Sequence, residues 1–292
     1  MSEIEKNRPN KKIGLALGGG GARGLAHIGV LKALQDAHIP IDYIAGTSMG
    51  ALVGGWYALN KSVHLLETLF LNIKDTDIFG TQKLLNQKSG ALFSDQSIIG
   101  FLKEGFKNKE FADCQIPFAA VATDFSNGNE TVIKNGSLSE AVAASVSVPV
   151  VFKPVKIDGK LLIDGGLSNP VPADVVKEMG ADYVIAVDVS SRWLNFSDEI
   201  KTHRDVYSMI SDAFSVVGYQ ISKQILKKAD VILKPPVLTF SWLEFDQTKA
   251  IIERGYFEAK HNLPQIEKET GYKRTAPKTF SEKLFDFIFS ND

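Results

Sequence analysis

Between Ile13 and Gly50 the chain twice makes the same move: a short apolar run, a turn that needs glycine, then a helical pattern. The first instance is Ile13 to Leu17 followed by Gly18-Gly-Gly-Gly-Ala-Arg-Gly24, and the second is Tyr43 to Ala45 followed by Gly46-Thr-Ser-Met-Gly50. Each apolar run reads as a buried strand and each following segment, Ala22 to Ile39 and Met49 to Leu59, as a helix. A serine between flanking glycines at a strand-to-helix turn holds its hydroxyl clear of the backbone at the mouth of a sheet, which is how a nucleophile is presented. Ser48 is therefore the candidate nucleophile, with Gly46 and Gly50 permitting the turn. The glycine loop lies at a helix N-terminus, where free backbone N–H groups favour an anion or a developing oxyanion.

Other readings of the glycine loop compete with this one. Gly19-x-Gly21-x-x-Gly24 also fits a dinucleotide fingerprint, but that fingerprint wants an acidic residue at the end of the second strand. Here Gly46-Thr-Ser-Met-Gly50 stands at that end and Asp42 precedes the strand instead. A phosphate-binding P-loop is excluded because no lysine followed by serine or threonine closes the glycine run. The plainest alternative is that the glycines only allow tight packing.

The remaining chain continues the alternation of strands and helices, which predicts an α/β fold with a mostly parallel sheet covered on both faces. At 292 residues and 44% hydrophobic content, one large domain is expected. Strands are predicted over 116–123, 131–134, 183–189 and 231–233, and helices over 94–106, 141–149 and 203–228, with Pro149 ending the second of these. Val155 to Ile163 around Asp158-Gly159 carries the signature of a two-residue hairpin. Its second strand delivers Asp164, followed by Gly165 and Gly166, which allow close approach of a substrate and leave the carboxylate facing an open cleft. With a reference pKa of ~3.9 an aspartate is a poor base, so an apolar surround that raises the value is expected. None of the five histidines, His27, His38, His64, His203 and His261, has a setting that marks it as the base of a serine nucleophile.

A net charge of −1, from 33 basic and 34 acidic residues, argues against a general nucleic-acid partner. One cysteine, Cys114, forms no intrachain disulfide, and the charged start of the chain lacks a signal-peptide pattern, so a cytoplasmic protein is expected, peripheral at a membrane at most. Phe280, Leu284, Phe287 and Ile288 share one helical face near the C-terminus, downstream of Lys273, Arg274 and Lys278. Docking of that helix on the protein's own core or on a second subunit, as in a homo-oligomer, is the plainer expectation; transient contact with a membrane surface is the other.

Taken together, Gly18 to Gly24, Gly46 to Gly50, Ala144-Ser-Val-Ser-Val-Pro149 and Asp164-Gly-Gly166 resemble the patatin-like phospholipase family, whose members use a serine–aspartate dyad. The likeness is good over Ile13 to Val189, and Val231 to Ala259 resembles the C-terminal part of bacterial members. It implies a three-layer α/β/α fold: residues 1–10 a disordered tail, 11–270 the catalytic domain with a cap-like insertion over 60–115, and 271–292 a linker and amphipathic helix. It further implies hydrolysis of a fatty-acyl ester in a lipid, with Ser48 as nucleophile and Asp164 as base. The backbone of Gly19, Gly20 and Gly21 would form the oxyanion hole, supported by Arg23. No metal or organic cofactor is implied. Asp-Gly-Gly stands where many members have Asp-Gly-Ala. Two alternatives remain: a triad hydrolase using His203 or His261, and a non-catalytic member of the same fold.

Overall fold

The computed structural model describes residues 11–72, 95–190, 206–242 and 245–272. The expected N-terminal tail, the C-terminal amphipathic helix and His203 lie outside these residues. The described elements are β1 (Ile13–Leu17), a 3-10 turn (Gly21–Leu25), α1 (Ala26–Asp36), β2 (Tyr43–Thr47), α2 (Met49–Asn60), α3 (Val63–Leu71) and α4 (Asp95–Phe106). They continue with β3 (Phe118–Asp124), β4 (Glu130–Ile133), α5 (Leu138–Ser145), β5 (Val155–Ile157), β6 (Lys160–Asp164), α6 (Ala173–Glu178), β7 (Tyr183–Val187), α7 (Val206–Ile225), β8 (Val231–Leu233) and α8 (Thr248–Thr270).

Eight strands form one sheet in the order β5-β6-β3-β2-β1-β7-β8, with β4 on β3. β1, β2, β3, β7 and β8 are parallel, whereas β4 and β6 run antiparallel to β3. Period-two alternation sorts the strand residues onto two faces. Leu15, Leu17, Ile44, Ile185 and Val187 join a core with the buried sides of α1, α2, α3, α4, α5 and α8. Ala16, Ala45, Ala119 and Ala186 face a second core with Val175 and Val176 of α6. The small residues let α6 sit close: a methyl on Gly14 would lie 1.9 Å from Val176 Cγ1. The result is a mixed α/β fold with helices on both faces of a mostly parallel sheet.

Two local expectations are corrected. The small-residue helix runs over Leu138–Ser145, started by Ser137 Oγ accepting Glu140 N–H at 3.4 Å, and it stops well before Pro149. A proline pushes only the residue before it, Val148, out of helical geometry, and the chain has already left the helix at Val146. The helix expected from Ala22 opens instead as the 3-10 turn and becomes α-helical at Ala26. Within 60–115, Leu66 and Phe70 of α3 and Leu102 and Phe106 of α4 are fully buried in the larger core. Among the described residues no helix is long and apolar enough to cross a membrane.

Candidate active site

The site is made by a change of neighbour along β3. β2 pairs with Phe118 to Val121 of β3, ending at Thr47 opposite Val121. β6 takes over the next positions, ending at Asp164 opposite Ala122. β2 runs with β3 and β6 runs against it, so the two strands meet head-on at their C-terminal ends. Each chain turns away there, and the residues at the turns are Ser48 and Asp164.

Ser48 has φ 53 and ψ −121, a left-handed backbone that a non-glycine residue adopts only when its surroundings hold it there. They do: Ser48 N–H donates to Ser145 Oγ at 2.9 Å, and the Ser145 hydroxyl donates to Val121 O at 2.6 Å. Beside it, Thr47 Oγ1 donates to Asn169 O at 2.7 Å, tying the elbow to the loop after Asp164. Methyl groups on Gly24, Gly46, Gly50 and Gly165 would sit 2.4, 2.3, 2.0 and 2.2 Å from Met49 Cγ, Gly50 O, Leu17 O and Val121 O. Gly46, Gly50 and Gly165 therefore let backbone pack on backbone around the elbow, and Gly24 makes room for the Met49 side chain.

Asp164 caps the 3-10 turn that follows it. Its Oδ1 accepts Gly166 N–H at 2.7 Å, which is what Gly166 contributes. Oδ2 is buried without a hydrogen-bond partner. Burial pushes the carboxyl up to about 6, while the nearby Ser48 hydroxyl and the Gly166 amide oppose the shift. The burial needed to raise the value is present. The open cleft is not, because Asp164 is 3% and Ser48 8% exposed. A carboxylate this dry is a stronger base than one in water, the property a serine partner needs.

The glycine loop lies against Ser48: a methyl on Gly19 would be 3.2 Å from Ser48 Cβ. Its amides are largely committed. Gly18 N–H donates to Val187 O, Gly19 N–H to Pro170 O at 2.9 Å and Ala22 N–H to Trp242 O at 2.7 Å. Only the Gly20 and Gly21 amides of this run have no partner among the described residues; Gly19, also expected among the oxyanion donors, gives its amide to Pro170 O. Gly21 has φ +56, and a methyl there would sit 2.2 Å from Trp242 O. Arg23 Nε donates to Phe240 O at 2.8 Å, linking the turn to the segment after β8. Of the histidines, His38, His64 and His261 are exposed, and His27 is fully buried beneath the glycine loop.

Two contributors escaped the sequence. Ser145 looked like a small residue of a packed helix, and its hydroxyl bridge between elbow and β3 depends on the spatial placement of α5. His27 carried no signal beyond its helical spacing from Arg23.

Comparison with known proteins agrees with this architecture. The patatin-like phospholipase family matches residues 15–177. A Caenorhabditis elegans patatin-like phospholipase domain-containing protein is 33% identical over 291 residues, covering 90% of this chain and 22% of the relative. Human patatin-like phospholipase domain-containing protein 6 is 31% identical over 283 residues, covering 88% of this chain and 20% of the relative. The chain thus spans about a fifth of the length of these curated relatives. Among solved structures, VipD from Legionella pneumophila has a similar fold, with TM-score 0.56 at 11% identity, covering 90% of this chain and 69% of that one. By the family match over residues 15–177, joined to a serine elbow and an aspartate at two strand ends that meet on β3, the chain belongs to the patatin-like phospholipase family.

Proposed function

We propose that this chain is a serine-dependent lipid acyl hydrolase that cleaves fatty-acyl esters of phospholipids or related lipids with a Ser48–Asp164 dyad. The observation that carries the proposal is the head-on meeting of β2 and β6, which brings a strained serine beside a dry carboxylate whose Oδ2 is unpaired. Ser48 Oγ attacks the acyl carbonyl carbon while Asp164 takes its proton. The Gly20 and Gly21 amides donate to the oxyanion. Collapse of the tetrahedral intermediate expels the alcohol, which leaves with the proton from Asp164. Water, deprotonated by the same carboxylate, then attacks the acyl-enzyme, and Ser48 Oγ leaves with that proton as the fatty acid is freed. The family's name supports a lipid substrate, and access to one implies transient contact with a membrane surface.

A triad with histidine as base is less well supported: His261, one of its two candidates, is exposed on α8, and the other, His203, lies outside the described residues. The test is direct. Purified wild type should release fatty acid from phospholipid vesicles and react with a fluorophosphonate at Ser48, while Ser48→Ala and Asp164→Asn should lose release to near background. Full turnover by either folded variant would refute the dyad.

A further inference from the structure

His27 is a fully buried histidine that the reaction does not use. It stands in the first turn of α1, and its Nε2 lies 2.7 Å from Gly18 O. A carbonyl oxygen only accepts, so Nε2 carries the hydrogen, leaving Nδ1 as a lone pair. Nδ1 is buried with no partner. Burial holds the ring down at about 4, so it is neutral at ordinary pH and has one hydrogen to give. As space filling this is unfavourable: leucine would occupy the same core without stranding a ring nitrogen. The Nε2–H bond is the one polar contact that the imidazole makes among the described residues.

That bond falls on a particular peptide. Gly18 O accepts from His27, and across the same peptide unit Gly19 N–H donates to Pro170 O at 2.9 Å. The unit is thus held at both polar ends, from α1 on one side and from the loop after β6 on the other. Glycine on both sides of it leaves the backbone otherwise free to rotate. The next two amides, Gly20 and Gly21, are the unpartnered ones, and Ala22 beyond them is held again by Trp242 O.

We propose that His27 is a positioning residue of the oxyanion turn: by donating Nε2–H to Gly18 O it clamps the Gly18–Gly19 peptide and so fixes the two free amides that follow. This rests on the hydrolase reading above. Preorganised donors stabilise the transition state more than the bound ester, so releasing the clamp lowers kcat and leaves KM nearly unchanged.

The test compares His27→Leu, which removes the donor, with His27→Gln, whose amide nitrogen reaches about as far as Nε2. With a soluble aryl ester, folded His27→Leu should lose about tenfold or more in kcat with KM within about twofold, and His27→Gln should recover most of the loss. Fluorophosphonate labelling of Ser48 should slow in parallel, because the phosphonyl oxygen enters the same hole. Equal kcat in His27→Leu and wild type overturns the proposal, as does His27→Gln no better than His27→Leu. Should His27→Leu fail to fold, the wild type decides by nitrogen-15 NMR of labelled histidine: a neutral Nε2–H tautomer at pH 7 supports the clamp, and an Nδ1–H tautomer overturns it. Wild type that neither turns over nor labels at Ser48 refutes the hydrolase reading and this proposal with it. Wild type that labels while folded His27→Leu labels equally fast refutes the clamp alone.

Discussion

Replacing Asp164 by asparagine should separate activity from stability, and do so in a pH-dependent way. Burial holds this carboxyl at about 6 in the folded protein, against a reference value of ~3.9 that applies to the unfolded chain. At about 1.4 kcal/mol for each pKa unit, ionisation is roughly 3 kcal/mol less favourable in the folded protein than in the unfolded one. The sign follows from the raised folded value. The fold has the full benefit of the protonated acid below pH ~4, and that benefit is lost as pH rises through about 6. Asparagine keeps the Oδ1 acceptor for Gly166 but does not titrate. Its Nδ2 would stand where Oδ2 now has no partner, a penalty of about 1–3 kcal/mol unless Ser48 Oγ accepts. That penalty is the same at every pH, so it cancels when one pH is compared with another. The stability of Asp164→Asn relative to wild type should therefore improve by about 3 kcal/mol between pH 4 and pH 8, on the order of 6 °C or more in Tm. Thermal melts of both proteins across that range measure it. Activity moves the other way: the variant should be inert, and wild-type kcat/KM should fall about tenfold per pH unit below the Asp164 pKa. A Tm difference that stays flat from pH 4 to pH 8 would refute the buried-base account.

Three further outcomes are expected. Ser48→Ala and Ser48→Gly should both be inactive, with the glycine variant about 1 kcal/mol more stable in denaturant melts because it relieves the left-handed backbone at φ 53; equal stabilities would show that the turn is not strained. Gly20→Ala places a methyl 2.8 Å from Val189 Cγ2 and should lower aryl-ester turnover roughly 10²-fold. Gly21→Ala should do at least as much harm, since its φ of +56 and the 2.2 Å approach to Trp242 O leave the side chain no room; wild-type kinetics in either would dismiss the oxyanion turn. His261→Ala and His203→Ala should change kcat/KM by less than about threefold, whereas the base of a triad would cost on the order of 10⁴-fold.

Most single elements could be read from the sequence because their causes are local. Asp158 and Gly159 turn the β5–β6 hairpin with φ 49 and 79, the left-handed pair that an Asp-Gly turn favours. The Ser48 elbow likewise announces itself through its flanking glycines. What local pattern does not reveal is partnership. Gly29 and Gly255 are ordinary helical glycines in sequence, yet methyls on them would sit 1.9 Å from Ile252 O and Ala26 O, because α1 and α8 cross there almost backbone to backbone. Ser145 and His27 were hidden for the same reason, as each acts through a carbonyl distant in sequence or on another element. The proposed Ser48–Asp164 pairing depends most on such information. Ser48 and Asp164 are adjacent only because β3 exchanges β2 for β6 between Val121 and Ala122. A slip of one residue in the β3–β6 pairing would turn Asp164 to the opposite face of the sheet. Two bonds oppose the slip: Thr123 Oγ1 donates to Asp164 O at 2.9 Å, and Asp164 N–H donates to Ser147 O at 2.9 Å. The Ser147 contact gives the segment from Ala144 to Pro149 a role that its composition alone does not disclose: it helps to hold the register that keeps Asp164 beside Ser48.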